Sequence, residues 1–209
     1  NASFKLMIAS LLSSGESRLL NFSHISDVDI TRDIIVSLGG QVRPAGERTL
    51  FINAAPLTSF TLNPEFGAKS RASSMFIGPL LHRFCKAVVP LPGGDKIGSR
   101  PLDRHFDGLK ALGAAVKVTG STCEITCTKL HGADFTFPKV SHTGTETLIM
   151  AAVLADGKTT LKNAALEPEV DDLIAFLNQM GAKIKRTRHR TIEISGVTSL
   201  HPTIYRIMP

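Results

Sequence analysis

The residues from 92 to 105 combine glycines with acidic and basic side chains in one short loop, Pro-Gly-Gly-Asp-Lys-Ile-Gly-Ser-Arg-Pro-Leu-Asp-Arg-His. Glycine adopts backbone angles that other residues avoid, so such a loop could close over a ligand and open again. Asp95 precedes the basic residues, and a carboxyl group carried into a closing, dehydrating site could donate or accept a proton. The same pattern also fits an ordinary solvated Gly-Asp turn. The lysine and the arginines suit an anionic substrate.

Three segments place a basic residue beside the predicted start of a helix. Residues 139–144, Lys-Val-Ser-His-Thr-Gly, precede a helix that we predict to begin near Thr145. The start of a helix offers free N–H groups and the positive end of the helix dipole, and both favour phosphate. Segments 69–71 and 99–101 have the same character. Ser70 and Ser141 could instead be simple helix caps, so each segment alone is a weak signal for a polyanion site.

The seven histidines show no spacing that is typical of a metal site. A structural or catalytic zinc needs at least three protein ligands, and separated histidines such as His105 and His142 usually hydrogen bond at the surface or in the core. We therefore predict no metal and no other cofactor.

The composition indicates a globular chain, with 209 residues of which 43% are hydrophobic. Neither an apolar run of about 18 residues nor a signal-peptide pattern is found, so we expect a cytoplasmic location and no membrane partner. The net charge of +6 fits a nucleic acid or a phosphorylated small molecule as partner, and the lack of Trp with a single Tyr disfavours the former. We predict a solvated hairpin at the basic cluster 183–190 and no nucleic-acid partner.

One pattern of residues occurs three times, around Gly39, Gly113 and Gly181. Each glycine ends a predicted helix that has an acid near its start, and a strand, a turn and a second strand follow. An apolar helix comes earlier in each unit, at 4–12, 71–84 and 145–154. A unit of about 60 residues cannot bury its apolar face alone, so the three units should pack around a common centre.

We therefore predict an α/β fold, in which three helix-strand-helix-strand-strand repeats form a pseudo-threefold inside-out barrel with helices inside and sheets outside. The predicted repeats span approximately 1–60, 61–130 and 131–200 of a single domain, 1–209. The chain starts at Asn1 rather than Met and ends at Pro209 in a strand-like run. We expect it to be part of a larger protein.

Six motifs between residues 70 and 169 are specific in combination, within a match that covers the whole chain: Ser70-Arg-Ala-Ser, Gly78-Pro-Leu, Leu91-Pro-Gly-Gly, Ile97-Gly-Ser-Arg-Pro-Leu-Asp-Arg-His, Lys139-Val-Ser and Asn163-Ala-Ala-Leu-Glu-Pro-Glu. With these motifs the chain resembles the enolpyruvyl transferases, and among them those that act on UDP-N-acetylglucosamine. The resemblance implies two similar domains, each an inside-out pseudo-threefold α/β barrel. This chain would be the loop-bearing domain, and the absent second domain would be its partner.

The resemblance also implies a reaction in which the enolpyruvyl group of phosphoenolpyruvate moves to the 3-hydroxyl of UDP-N-acetylglucosamine and phosphate leaves, the first committed step of peptidoglycan synthesis. Asp95 stands where the family commonly has a cysteine that protonates C3 of phosphoenolpyruvate. An aspartate has an unperturbed pKa of about 3.9, and Lys96 and Arg100 favour its charged form. We therefore expect Asp95 to become a proton donor only in the ternary complex, and fosfomycin not to alkylate it.

The resemblance implies that nucleotide-sugar contacts come from two groups of residues, Arg71 with Arg100, Pro101, Leu102, Asp103, Arg104 and His105, and Lys139 with Val140, Ser141 and His142. Arg100 would also face the phosphate of phosphoenolpyruvate, and Asn1 would border both substrates. The family usually has Val-Gly where this chain has His142-Thr143, which leaves backbone contacts in place but changes the side chains. The family lysine before Asn1 and the second domain's acid and arginine are missing, so we expect little or no turnover by this chain alone.

Two alternatives stay open at this stage. The related transferase that acts on shikimate 3-phosphate has the same architecture, although the segment 100–105 suits a nucleotide-sugar enzyme better. A non-catalytic nucleic-acid or phosphate-binding module could instead use the cluster 183–190. Binding that is lost at moderate salt and shows no preference for a uridine nucleotide sugar would favour that module.

Overall fold

The computed structural model describes residues 2–67, 71–91 and 102–208, and these form three similar units in chain order. The first unit contains α1 (Ala2–Ala9), β1 (Glu16–Leu20), α2 (Ser26–Ser37), β2 (Gln41–Pro44) and β3 (Thr49–Asn53). After α3 (Pro64–Gly67) and a 3-10 segment (Arg71–Phe76), the second contains α4 (Ile77–Phe84), β4 (Lys86–Pro90), α5 (Asp103–Ala111), β5 (Ala115–Thr119) and β6 (Thr122–Thr126). After β7 (Asp134–Thr136), the third contains α6 (His142–Ala152), β8 (Lys158–Lys162), α7 (Pro168–Gln179), β9 (Lys183–Arg188) and β10 (Thr191–Ser195), and β11 (Ile204–Arg206) follows.

Each unit builds its own sheet around an antiparallel pair and a hairpin. The strand orders are β11-β1-β3-β2, β4-β6-β5 and β7-β8-β10-β9. In each sheet the third strand of the unit pairs antiparallel with both of the unit's other strands. The alternating burial along β3, β6 and β10 leaves one face of each sheet against the core, which matches the two-residue period of a strand.

The units are joined in a ring because each sheet receives backbone from the preceding unit. Strand β7 follows the second unit and pairs parallel with β8 of the third, and β11 follows the third and pairs parallel with β1 of the first. After the first unit the equivalent contact is a single parallel bridge between Thr61 and Val88 of β4. These three crossings close the pseudo-threefold arrangement.

The helices α1, α4 and α6 lie inside. All residues of α6 from Gly144 to Ala152 are buried, and α1 buries every residue except Phe4. The buried apolar side chains of all three units form one core cluster. The predicted α/β fold with helices inside and sheets outside is therefore confirmed, and each predicted apolar helix is present with shifted ends.

Residues with positive φ mark equivalent turns. Gly39, Gly113 and Gly181 follow α2, α5 and α7 with φ angles of 95°, 93° and 105°, a region where a side chain is strained. Asn21 and Asn163 follow β1 and β8 with φ angles of 65° and 54°. Both asparagines donate their side-chain amide to a carbonyl just beyond the crossing strand, at 3.0 and 2.9 Å. The repeat is thus fixed by backbone conformation as well as by apolar pattern.

Candidate functional site

The start of α6 lies three residues earlier than the sequence predicts. We predicted a start near Thr145, but α6 begins at His142 because Ser141 is its N-cap and accepts a hydrogen bond from the Gly144 N–H at 3.2 Å. A Cβ on Gly144 would lie 2.7 Å from the Ser141 Oγ, so glycine allows this close approach. Thr145 instead donates its hydroxyl to the Ser141 carbonyl at 2.7 Å and accepts from the Ala165 N–H at 3.0 Å. His142 and Thr143 therefore form the first turn, where backbone N–H groups have no intrahelical partner.

A second contact brings the start of α5 to this turn. His105 is 3% exposed, and its Nε2 lies 3.1 Å from the Thr143 Oγ1. The two groups of residues that the resemblance implies for nucleotide-sugar binding, at 102–105 and 139–142, are therefore adjacent. Of their other members, Leu102 is buried, Asp103 and Lys139 are exposed, and Arg104, Val140 and Ser141 are partly exposed.

The structure adds two charged residues that the sequence analysis missed. Lys5 of α1 and Glu146 of α6 form an ion pair of 2.8 Å, and their side chains are 3% and 0% exposed. The Nε2 of His142 lies 2.8 Å from the Lys5 Nζ and 3.2 Å from the Glu146 Oε1. A charged residue within a helix of otherwise apolar sequence was the available signal, because such a helix has no solvated face on which to place it.

The charges around His142 favour its protonated form. The adjacent Glu146 carboxylate raises the pKa of His142, burial and the Lys5 ammonium oppose that shift, and Glu167 adds to it. At the start of α7, burial would raise the pKa of Glu169, but its own backbone N–H, Lys5 and His142 together lower it. The N-terminal turns of α1, α6 and α7 thus share one electrostatic environment.

Several predicted site residues lie outside what the structure describes. These are Asn1, Asp95, Arg100 and Pro101, together with the loop that carries them and the helix start at 99–101. For Arg71 only the backbone is described, and it begins the 3-10 segment that packs against both α1 and α6. Their roles stay predictions.

Two further features lie away from this turn. A cavity of about 250 Å³ is lined at the opposite ends of the core helices by residues that include Leu12, His82, Arg83 and Leu154. The basic cluster at 183–190 forms β9 and the turn of the hairpin with β10. Two of its cations are bound within the protein: Arg186 binds Asp171 at 2.8 Å and Arg190 donates to the Ala164 carbonyl at 3.0 Å. Among the residues that the structure describes, no helix is long and apolar enough to cross a membrane, and no group of three potential metal ligands is found.

Comparisons with known proteins agree with the fold. The family model for EPSP synthase (3-phosphoshikimate 1-carboxyvinyltransferase) matches residues 1–209. Two curated relatives are the UDP-N-acetylglucosamine 1-carboxyvinyltransferases of Dichelobacter nodosus and Hydrogenovibrio crunogenus. They are 43% and 44% identical to this chain over 209 residues, which is 100% of this chain and 50% of each relative. The chain thus spans about half the length of the curated relatives it matches.

Solved structures show the same architecture. The enolpyruvyl transferase NikO from Streptomyces tendae superposes with a TM-score of 0.86 at 20% identity over 100% of this chain and 49% of that chain. EPSP synthase from Acinetobacter baumannii superposes with a TM-score of 0.74 at 19% identity over 99% of this chain and 47% of that chain. Sequence and fold lead to one assignment, which confirms the resemblance: the chain belongs to the enolpyruvyl transferase family.

Proposed function

We propose that this chain is one domain of a transferase that moves the enolpyruvyl group of phosphoenolpyruvate to the 3-hydroxyl of UDP-N-acetylglucosamine and releases phosphate. The observation that carries the proposal is the contact between His105 and Thr143, which joins the end of the basic loop to the start of α6. The names of the relatives at 43% and 44% identity support the choice of nucleotide sugar. The activity would serve peptidoglycan synthesis in the cytoplasm.

The first turn of α6 is suited to the diphosphate of the nucleotide sugar. The N–H groups at a helix start have no intrahelical partner and, with the helix dipole, attract an anion, and exposed Lys139 adds a full charge just before the cap. Arg104 and His105 approach from α5, which has Asp103 as its first residue. By family resemblance, Arg71, Arg100 and Asn1 would complete the contacts to both substrates.

The chemistry is an addition followed by an elimination. Asp95 gives its proton to C3 of phosphoenolpyruvate while the sugar hydroxyl oxygen bonds to C2 and loses its own proton to a base. Removal of a proton from C3 and departure of phosphate from C2 then restore the double bond. Asp95 must be neutral at the first step, so loop closure and the bound anions have to raise its pKa against the effect of Lys96 and Arg100.

We also propose that a second domain completes the active site. The relatives are about twice as long as this chain, and the family resemblance assigns the acid that assists the sugar hydroxyl and a phosphate-binding arginine to the other half. The isolated chain should therefore release little or no phosphate. Specific phosphate release by the chain alone would contradict this part of the proposal.

The test measures phosphate release by the full-length protein with phosphoenolpyruvate and UDP-N-acetylglucosamine. Release should require the nucleotide sugar and should collapse in Asp95→Asn. The control Asp134→Asn removes an exposed carboxylate on β7 and should leave the rate unchanged. Release that survives in Asp95→Asn would exclude Asp95 as the donor, and no release from the natural protein would refute the substrate assignment.

A second candidate is transfer to shikimate 3-phosphate, because the family model that matches residues 1–209 is described as EPSP synthase. The same assay with shikimate 3-phosphate in place of the nucleotide sugar separates the two. If phosphoenolpyruvate releases phosphate with shikimate 3-phosphate but not with the nucleotide sugar, the second proposal would replace the first.

A further inference from the structure

The contacts among Lys5, Glu146 and His142 have no role in the mechanism above, although they lie beside the turn that the mechanism uses. Ionised groups are rarely buried without a compensating reason, because desolvation opposes their charged forms. Glu146 is fully buried, and its Oε2 has no hydrogen-bond partner among the residues that the structure describes. A pair of apolar residues would fill the same space without that penalty.

The geometry of the three side chains links two core helices. Glu146 lies one turn after His142 on α6, and Lys5 approaches from α1. The Lys5 Nζ is 2.8 Å from both the Glu146 Oε1 and the His142 Nε2. The Glu146 carboxylate lies between the two cationic groups and can accept from both, and because His142 is the first residue of α6, this bridge fixes its ring and holds the first turn of α6 against α1.

The surrounding charges determine which form of His142 fits. Lys5 from α1 faces the ring, and carboxylates face it from α6 through Glu146 and from the start of α7 through Glu167 and Glu169. An Nε2–H can donate to the Glu146 carboxylate, and both the imidazolium and one tautomer of the neutral ring carry that proton. The hydrogen bond to Glu146 and the charges of Glu146 and Glu167 raise the pKa of His142, so they favour a positive imidazolium at the helix start, where 31% of the side chain is exposed.

We propose that Lys5 and Glu146 are positioning residues for the nucleotide-sugar reaction: they hold His142 so that its imidazolium and the first turn of α6 together receive the diphosphate of the substrate. The proposal rests on the proposed function. Neither Lys5 nor Glu146 touches substrate, and both act through His142. Affinity for the nucleotide sugar should therefore depend on them, whereas the chemical step should not.

The experiment compares the full-length protein with Glu146→Gln and Lys5→Met, and with the double variant Lys5→Met/Glu146→Leu, which removes the charged pair as a whole. KM for UDP-N-acetylglucosamine should rise about tenfold in each, the size of one charge-assisted hydrogen bond, while kcat and KM for phosphoenolpyruvate stay within about twofold. Lys86→Met/Glu124→Gln is the matched control, because this Lys-Glu pair is also 2.8 Å long but is 36% and 42% exposed. It should leave all three constants unchanged.

The pH dependence separates positioning from simple packing. In the natural protein KM for the nucleotide sugar should be low while His142 is protonated, and should rise as the pH passes the raised pKa of His142. Glu146→Gln removes the main cause of that shift, so the rise should begin at lower pH. Imidazole NMR of His142 reports the same change without any substrate.

The outcomes are distinct. An unchanged KM and pH profile in the folded double variant would overturn the proposal, and so would an unchanged His142 titration in Glu146→Gln. If the pair variants fail to fold, His142→Gln tests the same point at a partly exposed position: KM should rise and lose its pH dependence, and an unchanged profile would again overturn the proposal. No nucleotide-sugar-dependent release from the natural protein would instead refute the proposed function, while the NMR titration would still report on the three side chains.

Discussion

Breaking the ion pair between Lys5 and Glu146 should destabilise the protein more than removing it. Lys5→Met leaves the fully buried Glu146 carboxylate with the partly exposed His142 ring beside it, and Glu146→Leu leaves the Lys5 ammonium nearly buried without its carboxylate partner. Removing one partner of a buried ion pair typically lowers the free energy of unfolding by about 3–5 kcal/mol, and Lys5→Met should lie at the lower end because His142 still contacts Glu146. For a chain of this size each kcal/mol corresponds to about 2–4 °C, so each single variant should lose roughly 6–20 °C in Tm.

The double variant Lys5→Met/Glu146→Leu should be far more stable than the sum of the single effects predicts. A buried pair that is replaced by apolar residues of similar volume is often neutral or stabilising, so most of the single losses should be recovered. The interaction energy of the double-mutant cycle should therefore be at least about 2 kcal/mol. The exposed pair Lys86 and Glu124 should show no measurable coupling in the same cycle.

The assay is urea unfolding of the four proteins at one protein concentration, followed by both fluorescence of an external dye and circular dichroism so that two-state behaviour can be checked. The slope of the free energy against urea should be the same in all four. Single effects that add within about 0.5 kcal/mol would refute the reasoning, because they would mean that the two charges are independently solvated. Such a result would also remove the physical basis for a rigid contact between α1 and α6.

Three further predictions concern other side chains. Tyr205→Phe should lower the free energy of unfolding by about 1–3 kcal/mol in urea, because it removes the hydroxyl that donates to the buried Asp172 carboxylate at 2.6 Å; no loss would mean that Asp172 finds another donor. Iodoacetamide labelling followed by mass spectrometry should modify exposed Cys85 first and Cys123 last, since burial raises the pKa of Cys123 to about 11, and a reversed order would contradict this. Fosfomycin should neither inhibit the full-length protein potently nor form an adduct at Asp95, whereas Asp95→Cys should gain the adduct; an Asp95 adduct would be evidence against a carboxylate donor at that position.

Local backbone rules made the threefold repeat predictable. Gly39, Gly113 and Gly181 stand where the chain needs a positive φ, and this requirement restricts the residue type strongly enough to be seen in sequence. The repeated helices and hairpins could also be predicted, because apolar residues recur along each element with the period of that element. The sequence analysis placed the start of α6 near Thr145, although it named Ser141 as a possible cap, and the Ser141 side chain does accept from the Gly144 N–H.

Contacts between distant parts of the chain could not be predicted in this way. Strand β7 has three residues, too few for a periodic signal, whereas the strand-like run that contains β11 could be seen in the sequence. The pairing of these strands with β8 and β1 depends on the closed ring, which no local pattern indicates. Lys5 and Glu146 are separated by more than half of the chain, and their pairing requires both helices to lie inside. The charge within each apolar helix could be seen in the sequence, but the residue that pairs with it could not.

The direction of the core helices explains why the chemistry is placed at one end. The starts of α1 and α6 meet through Lys5 and His142. At the other end, side chains from the last turn of α4 satisfy carbonyls that helix termini leave free: His82 donates to Ala151 at 2.8 Å and Arg83 donates to Ser13 at 3.1 Å.

Burial lowers the pKa of His82, so it serves there as a neutral donor, while the carboxylates around His142 favour a cation. The same residue type thus favours the neutral form at one end of the helical core and the positive form at the other. At the carbonyl end of the core helices, the donors of His82 and Arg83 are already hydrogen bonded to protein carbonyls. At the amide end, the N–H groups of the first helical turn and the positive charge can bind an anion. An anionic substrate is therefore expected only at the end where α5 and α6 meet.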